Sequence, residues 1–410
     1  SPLHDSPFRV QTESAPWPLR PGAKTRRAAI NAFGFGGINA HLLLEEYRPP
    51  SEPATQAGGW CDTTVAIRAP ASSPADPDHI AIVGLDAAFG SLETLDQFKQ
   101  AIFQGPSPIA DRPPGRWRGI EATADSAWLN KDLRGAFVSS LAIAPGEFRI
   151  PPNELDDIIA QHLLMLRVTR RAAQMAALKF GAEHPRVGTV IGIDFDFEAT
   201  DFCLRWALHN QVRTWQRTYD FNLDENTLRK WTSDIADAIS PPLTRSRTLG
   251  ALGSMVASRV ARELRLGGPS FVVSAEAASG LNALQVAVAS LRQRETDIMI
   301  VGAVDLCGDV RAVADAALSA SAIAGGGAAV PQSNVYHKPP AEGAAAVVLK
   351  RLADAQAQGD TIYAVLEGVV SATAQAASAQ AVAAAYKTSL KAVLQEAAIT
   401  MDQAILYDTS

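Results

Sequence analysis

The chain has 410 residues, of which 47% are hydrophobic, enough apolar material for two or three domains with sizeable cores. Its 37 basic and 43 acidic residues are mixed along the chain and give a net charge of −6, which argues against nucleic acid as the main partner. No apolar run approaches the length of a membrane span, and no signal peptide opens the chain.

The three cysteines, Cys61, Cys203 and Cys307, are far apart and lack metal-site spacing, so we expect reduced thiols in a cytoplasmic protein. The seven histidines form no cluster either. An isolated histidine such as His162 or His209 is more often packed or exposed than catalytic. The sequence therefore predicts no metal site.

The first 47 residues do not have the pattern of a domain start. Prolines hold extended segments, and then Arg26–Glu46 has a glycine-rich loop between two short apolar runs. Gly34, Gly36 and Gly37 permit unusual backbone angles and close approach to a ligand. Taken alone, such a loop is a weak signal, and an ordinary hairpin would be the default interpretation. Residues 48–78 are rich in Pro, Ala, Ser and Gly and are typical of an interdomain linker.

A second domain is predicted to begin with a buried strand at Asp78–Gly90, followed by an amphipathic helix over Ser91–Phe103. The glycine pattern of a dinucleotide-binding turn is absent. The near-continuous apolar run Asp297–Leu306 is typical of a strand inside a parallel or mixed sheet. The polar region 195–249 contains three tryptophans and fits a binding surface or, preferably, a peripheral helical insertion. Further elements are predicted at Arg186–Asp194 (strand), Gly253–Leu266 (helix), Ile362–Gly368 (strand) and Ala385–Ala397 (helix).

The most informative stretch is a predicted strand–turn–helix. Ser270–Ser274 is a short apolar strand, and apolar residues at helical spacing predict a helix that starts near Ser279. The intervening turn places one side chain at the positive end of a helix, where a cysteine would be a good nucleophile. An ordinary strand–turn–helix of an α/β protein is the alternative for this stretch alone.

Several motifs, in order, resemble the β-ketoacyl synthase family. The turn is similar to that family's Asp-Thr-Ala-Cys-Ser-Ser-Ser-Leu, and aligning the leucine with Leu281 puts Ala277 at the nucleophilic cysteine. Arg26–Glu46 resembles the Gly-Phe-Gly-Gly-Thr-Asn-Ala-His loop near the family's C-terminus. Further matches are the opening strand, a Pro-x-x-Arg-Trp loop at Asp111–Trp117, and a Gly-Glu-Gly-Ala-like strand at Ala341–Leu352. The resemblance implies an α/β fold of the thiolase-like, layered α-β-α-β-α type.

The resemblance also implies site residues. Gly34, Phe35, Gly36 and Gly37 would form an active-site loop in which Phe35 gates the acyl chain, while His41 would not be catalytic. The family's catalytic motifs His-Gly-Thr-Gly-Thr and Asn-Ile-Gly-His do not occur here. Residues 1–47 are therefore expected to be the tail of an upstream ketosynthase. Residues 79–410 would be a cysteine-less domain like a chain-length factor, incomplete at its C-terminus.

This arrangement resembles that of polyunsaturated fatty acid synthases and related polyketide synthases. The implied reaction is decarboxylative Claisen condensation, with substrates carried on the phosphopantetheine of an acyl carrier protein and no cofactor bound directly. The implied partners are the upstream ketosynthase, the carrier protein and other synthase domains. The second domain would shape the acyl pocket without a nucleophile. Two alternatives remain: a malonyl decarboxylase, and a non-catalytic scaffold.

Overall fold

The computed structural model describes residues 10, 12–33, 39–47, 79–105, 107–117, 134–315, 340–374 and 379–400. The chain divides into two compact units, Ser1–Val65 and Ala66–Ser410. Among the described residues, no helix combines the length and apolar character that crossing a membrane would require.

The first unit contains an antiparallel pair of strands, β1 (Arg27–Phe33) and β2 (Asn39–Glu45). Their register pairs Arg27 with Glu45 and Phe33 with Asn39. The two strands predicted on either side of the glycine-rich loop are therefore present, and they pair with each other. The loop itself, Gly34, Phe35, Gly36 and Gly37, lies outside the described residues.

The second unit is built around a mixed sheet of six strands, beside which a separate two-stranded ladder joins β4 (Ala110–Asp111) to β5 (Arg134–Gly135). The six strands are β3 (Ile80–Phe89), β6 (Val187–Ile193), β7 (Ser270–Val273), β8 (Ile298–Asp305), β9 (Gly343–Arg351) and β10 (Ala364–Leu366). Their spatial order is β10-β3-β9-β8-β6-β7. β8 runs parallel to β6, and β6 runs parallel to β7, whereas the remaining pairs are antiparallel. The predicted interior strand β8 lies between β9 and β6, as its apolar run indicated.

The second unit contains the helices α1 (Leu95–Gln104), α2 (Ala160–Met175), α3 (Asp201–Thr218), α4 (Glu225–Ile239), α5 (Arg245–Ala251), α6 (Met255–Leu264), α7 (Ser279–Arg292), α8 (Leu352–Gln358) and α9 (Ala379–Glu396). Buried side chains of α2 and α6 pack with Ile191 and Ile300 on one face, and α7 packs with Val190 and Met299 on the other. Adjacent residues of a strand point to opposite faces, which explains why Val190 and Ile191 enter different cores.

Local sequence explains where several helices begin. Thr94 caps α1 in a capping box, because its hydroxyl accepts the Gln97 amide and the Gln97 side chain accepts the Thr94 amide. Asp224 caps α4 by accepting the amides of Asn226 and Thr227. The region 195–249 is helical, as predicted: α3 and α4 pack around Leu208, Val212 and Leu228 in a small core of their own.

Candidate functional site

The turn between β7 and α7 is closed by the side chain of Ser279. Its hydroxyl accepts the Ala275 amide at 2.8 Å and donates to the Glu276 carbonyl at 2.6 Å. Ser279 is buried, and the helix begins at this residue, as the sequence predicted. Glu276 and Ala277 are exposed at the tip of the turn. A methyl group has no lone pair, so Ala277 cannot form a thioester.

The start of α7 lies directly on the sheet because small residues allow it. A Cβ atom added to Gly192 in β6 would be 2.6 Å from the carbonyl carbon of Ser279 and 2.7 Å from the amide nitrogen of Gly280. A Cβ added to Gly280 would meet the Ala303 methyl of β8 at 3.0 Å. Side chains at these positions would push the helix away from the sheet. The glycines therefore fix the turn over the carboxyl ends of β6 and β8.

Acidic side chains lie at the carboxyl ends of those two strands. Ile193 pairs with Val304, so Asp194 and Asp305 follow at the same level of neighbouring parallel strands. Burial, followed by the charge of Asp194, raises the pKa of Asp305 to about 6. Burial also raises the pKa of the Cys307 thiol to about 12, which makes that thiol a poor nucleophile at neutral pH. The sequence analysis did not single out this acidic pair, because its proximity depends on strand register.

Asp196 lies three residues beyond β6 and is buried. Burial, followed by the charge of Glu198, raises the pKa of its carboxyl group to about 7. No set of side chains suited to a metal ion occurs within the described ranges. Cys203 is exposed and Cys307 is partly buried, and both are free thiols, whereas Cys61 lies outside the described residues.

Two motifs that are far apart in sequence meet at the end of β8. Glu342 is fully buried and accepts the amides of Val138 at 2.7 Å and Gly308 at 2.9 Å. Its carboxylate also forms an ion pair with Arg116. The Trp117 indole donates to the Gly308 carbonyl at 3.0 Å. These contacts anchor the Arg-Trp loop to the Gly-Glu-Gly-like strand. Both motifs therefore support the end of the sheet over which the turn lies.

In the hairpin of the first unit, His41 contacts the Asn31 side-chain oxygen at 2.7 Å through Nδ1. Ile30, Leu42, Leu43 and Leu44 are all exposed, and Leu43 exposes 81% of its surface. Successive residues of a strand point to opposite faces, so Leu42, Leu43 and Leu44 place apolar side chains on both faces of this two-stranded unit. Two strands of this kind are not independently stable in water.

Two family models together match most of the chain. The family model described as "Beta-ketoacyl synthase, N-terminal domain" matches residues 77–355, and "Ketoacyl-synthetase C-terminal extension" matches residues 1–71. A component of the polyunsaturated fatty acid synthase of Thraustochytrium sp. is 28% identical over 305 residues, which are 74% of this chain and 14% of that protein. The hybrid synthetase acdB of Aspergillus candidus is 28% identical over 309 residues, 72% of this chain and 11% of that protein.

Solved structures give the same fold. The structure described as "PfaC Keto synthase-Chain length factor" aligns with a TM-score of 0.68 and 25% identity, over 92% of this chain and 37% of that one. The oxazolomycin ketosynthase domain OzmH KS7 of Streptomyces albus aligns with a TM-score of 0.55 and 19% identity, over 79% of this chain and 51% of that one. The chain thus spans only a minor part of the curated relatives it matches. The chain belongs to the β-ketoacyl synthase family and has the α/β, thiolase-like fold that its motifs predicted.

Proposed function

We propose that this chain is the junction between a ketosynthase and a chain-length-factor-like domain of a multidomain fatty acid or polyketide synthase. Residues 1–47 complete the upstream ketosynthase, residues 48–78 connect the two domains, and residues 79–410 belong to the second domain. The order of the family matches supports this division, because a C-terminal extension precedes an N-terminal domain in the same chain. The extension match also covers most of the proposed connection.

The exposed apolar hairpin supports the same assignment for residues 1–47. Ile30 and Leu42–Leu44 need a larger sheet or core to cover them, and a preceding ketosynthase body would supply it. In this proposal Phe35, between Gly34 and Gly36, is the gate of the upstream acyl pocket. Phe35→Ala in the complete synthase is then expected to lower the condensation rate without unfolding the protein. A loss of several kcal/mol in stability would mark Phe35 as a core residue instead.

The observation that carries the proposal is the turn from Ala275 to Ser279. Two hydrogen bonds of Ser279 hold this turn at the start of α7, and Ala277 stands where the family motif has its nucleophile. We infer that the second domain shapes the pocket for the growing chain while the upstream ketosynthase condenses acyl and malonyl thioesters. The substrates would be carried on the phosphopantetheine of an acyl carrier protein. The partners of this chain would be that carrier protein, the upstream ketosynthase and the other domains of the synthase.

Product analysis of the complete synthase tests this function. Ala277→Phe adds bulk at the turn and is expected to shorten the products while leaving condensation active, whereas Ala277→Ser is a matched control with little added volume. Unchanged product length with Ala277→Phe contradicts the pocket-shaping role. The isolated chain is expected to take up no covalent acyl group on residues 79–410, as measured by intact-mass spectrometry. Malonyl turnover by the isolated chain would instead favour a decarboxylase.

A further inference from the structure

Glu276 has an unusual backbone conformation beside the nucleophile position. Its φ angle is 50°, in the left-handed region that residues with a Cβ atom adopt rarely. The Glu276 carbonyl accepts both the hydroxyl of Ser279 at 2.6 Å and the amide of Ser279 at 3.0 Å. The backbone is therefore held in place there, and the glutamate side chain leaves the turn into solvent.

The negative charge of Glu276 has no counter-charge in the part of the chain that the structure describes. No lysine, arginine or histidine among those residues lies within ion-pair distance of its carboxylate. The family motif has alanine at this position and its acidic residue at the position of Ser274, so in this turn the acidic side chain stands next to residue 277 and not three positions before it. Ala277 in turn stands at the position of the family's cysteine.

The charge of Glu276 lies where the fold would otherwise attract anions. The amino end of α7 carries a partial positive charge, which favours anionic groups beside it. Neighbouring Cα atoms are about 3.8 Å apart, so the Glu276 carboxylate lies within about 10 Å of the Ala277 methyl group in any rotamer. A second anion at the turn would therefore meet a like charge instead of an unopposed helix end.

We propose that Glu276 is a specificity-determining residue of this turn: its charge disfavours malonyl and other anionic acyl groups there and leaves the turn open to neutral acyl chains. This inference rests on the proposed function, because it takes acyl groups to reach Ala277. Two like charges about 7 Å apart at a solvent-exposed turn, where the effective dielectric constant is about 35 to 75, weaken the binding of an anion by about three- to tenfold. The same repulsion favours pocket shaping over malonyl decarboxylation.

A pair of alkylating probes measures this charge directly. Ala277→Cys places a thiol at the turn of the full chain, and the variant is treated in parallel with anionic iodoacetate and neutral iodoacetamide. Peptide mass spectrometry separates the introduced thiol from Cys203, which is exposed. Adding Glu276→Gln is expected to raise the iodoacetate-to-iodoacetamide rate ratio by about three- to tenfold at low salt. The effect is expected to fall at about 1 M salt, where the Debye length is about 3 Å.

Glu295→Gln is the matched control, because Glu295 is also an exposed glutamate but follows the other end of α7. A helix of 14 residues is about 21 Å long, about three times the separation taken for Glu276, so the charge of Glu295 acts on the turn only weakly even at low salt. The control is expected to leave the rate ratio unchanged. A ratio that Glu276→Gln does not alter, or that both substitutions alter equally, overturns the proposal.

A second measurement needs no introduced thiol. The affinities of malonyl-pantetheine and butyryl-pantetheine are measured for the native chain and for Glu276→Gln by titration calorimetry. The substitution is expected to strengthen malonyl binding by about three- to tenfold while leaving butyryl binding unchanged. Equal changes for both ligands, or none, overturn the proposal. Failure of the proposed chain-length function would be distinguishable from failure of this inference. In that case Ala277→Phe would leave the product length unchanged, while Glu276→Gln would still change the ratio of the two alkylation rates.

Discussion

Ser279 accepts the amide proton of Ala275 at 2.8 Å, which fastens the first residue of α7 to the residue four positions before it. The same hydroxyl donates to Glu276, so one buried side chain defines both sides of the turn. The turn shape therefore depends on Ser279 and on the close approach of Gly192, and not on a nucleophile at residue 277. This explains how a turn of the ketosynthase type can persist with alanine in that position.

Replacing this serine tests its role in the turn. Ser279→Ala removes two hydrogen bonds and leaves the Ala275 amide without its acceptor, so we expect a loss of about 1–3 kcal/mol in the free energy of unfolding. Urea denaturation followed by circular dichroism measures the change. Thr388→Ala is the control, because its hydroxyl bonds to Ala384 on the exposed surface of α9. A Ser279→Ala variant as stable as the control would show that the turn is held by packing alone.

The buried histidine of α2 predicts a pH dependence of stability. Burial, with the charge of Arg259 as the second cause, lowers the pKa of His162 to about 3. In the unfolded chain the His162 imidazole has a pKa of about 6.5, so on acidification the unfolded state binds the proton before the folded state does. The stability contributed by neutral His162 is therefore lost as the pH falls from about 6.5 towards 3. The slope from this one proton approaches about 1.4 kcal/mol per pH unit.

His162→Leu is expected to flatten this dependence by one proton while leaving stability at pH 7 equal or higher. Neither ring nitrogen has a hydrogen-bond partner among the described residues, so leucine abandons no bond there. Denaturation at several pH values between about 3 and 8 gives the comparison. His209→Gln, at an exposed position of α3, is expected to preserve the native profile. Identical slopes for native protein and His162→Leu would contradict the prediction.

The ion pair between Arg116 and Glu342 predicts an asymmetric effect of substitution. Arg116→Ala leaves a fully buried carboxylate without its cation, and breaking a buried pair in this way costs roughly 3–5 kcal/mol. The partial exposure of Arg116 places our expectation at the lower end of that range. Adding Glu342→Gln removes the charge and keeps one acceptor oxygen, which can serve the amide of Val138 or of Gly308, and should restore part of the loss.

A double-mutant cycle in denaturant measures this coupling. Arg134→Ala is the control, because Arg134 and Asp111 form an exposed pair whose loss is expected to cost below about 1 kcal/mol. Additive effects of Arg116→Ala and Glu342→Gln would show that the two side chains are not coupled. The hydrogen bond from Trp117 to Gly308 would then be the contact that anchors the Arg-Trp loop.

The sequence predicted the helices and strands better than it predicted the contacts between them. Strands β6, β7 and β8 lie within one or two residues of the predicted ranges, because each is an apolar run bounded by polar or small residues. α1 begins at Leu95 and not near Ser91, since Thr94 supplies the cap. α9 begins at Ala379, six residues before the predicted Ala385, because alanine continues a helix without an apolar pattern to mark it.

Long-range relationships were not readable in the same way. The contact between Gly192 and Ser279 joins residues on separate elements, and no local pattern marks it. The acidic pair Asp194 and Asp305 depends on the register between β6 and β8. Ala277 could be assigned to the nucleophile position only by comparing the stretch with a family motif. A strand–turn–helix by itself does not indicate that a cysteine is expected at that residue. The order of family motifs along the chain predicts which residue stands at the nucleophile position, whereas hydrophobic periodicity predicts only whether a segment is a helix or a strand.

The open edge of β7 leads to a prediction about assembly. β7 pairs with β6 on one side and forms no ladder on its other side among the described residues. Its core residues Phe271, Val272 and Val273 are each partly exposed. An uncovered apolar edge strand favours association with another chain. We therefore expect this edge to be covered by the upstream ketosynthase in a pseudo-dimer, through an interface of more than about 2,000 Å², as in obligate complexes.

Val272→Asp places a charge in that interface, where an unpaired buried carboxylate is costly, so the ketosynthase and the second domain are expected not to assemble. Sedimentation velocity measures assembly, and circular dichroism of the same sample establishes that the variant is folded. Val272→Thr, of nearly the same shape, and Val382→Asp, a charge on the exposed surface of α9, are expected to assemble normally. A folded Val272→Asp variant that sediments like the native pair would show that the β7 edge is not the interface, because a buried charge could not be accommodated there without loss of affinity.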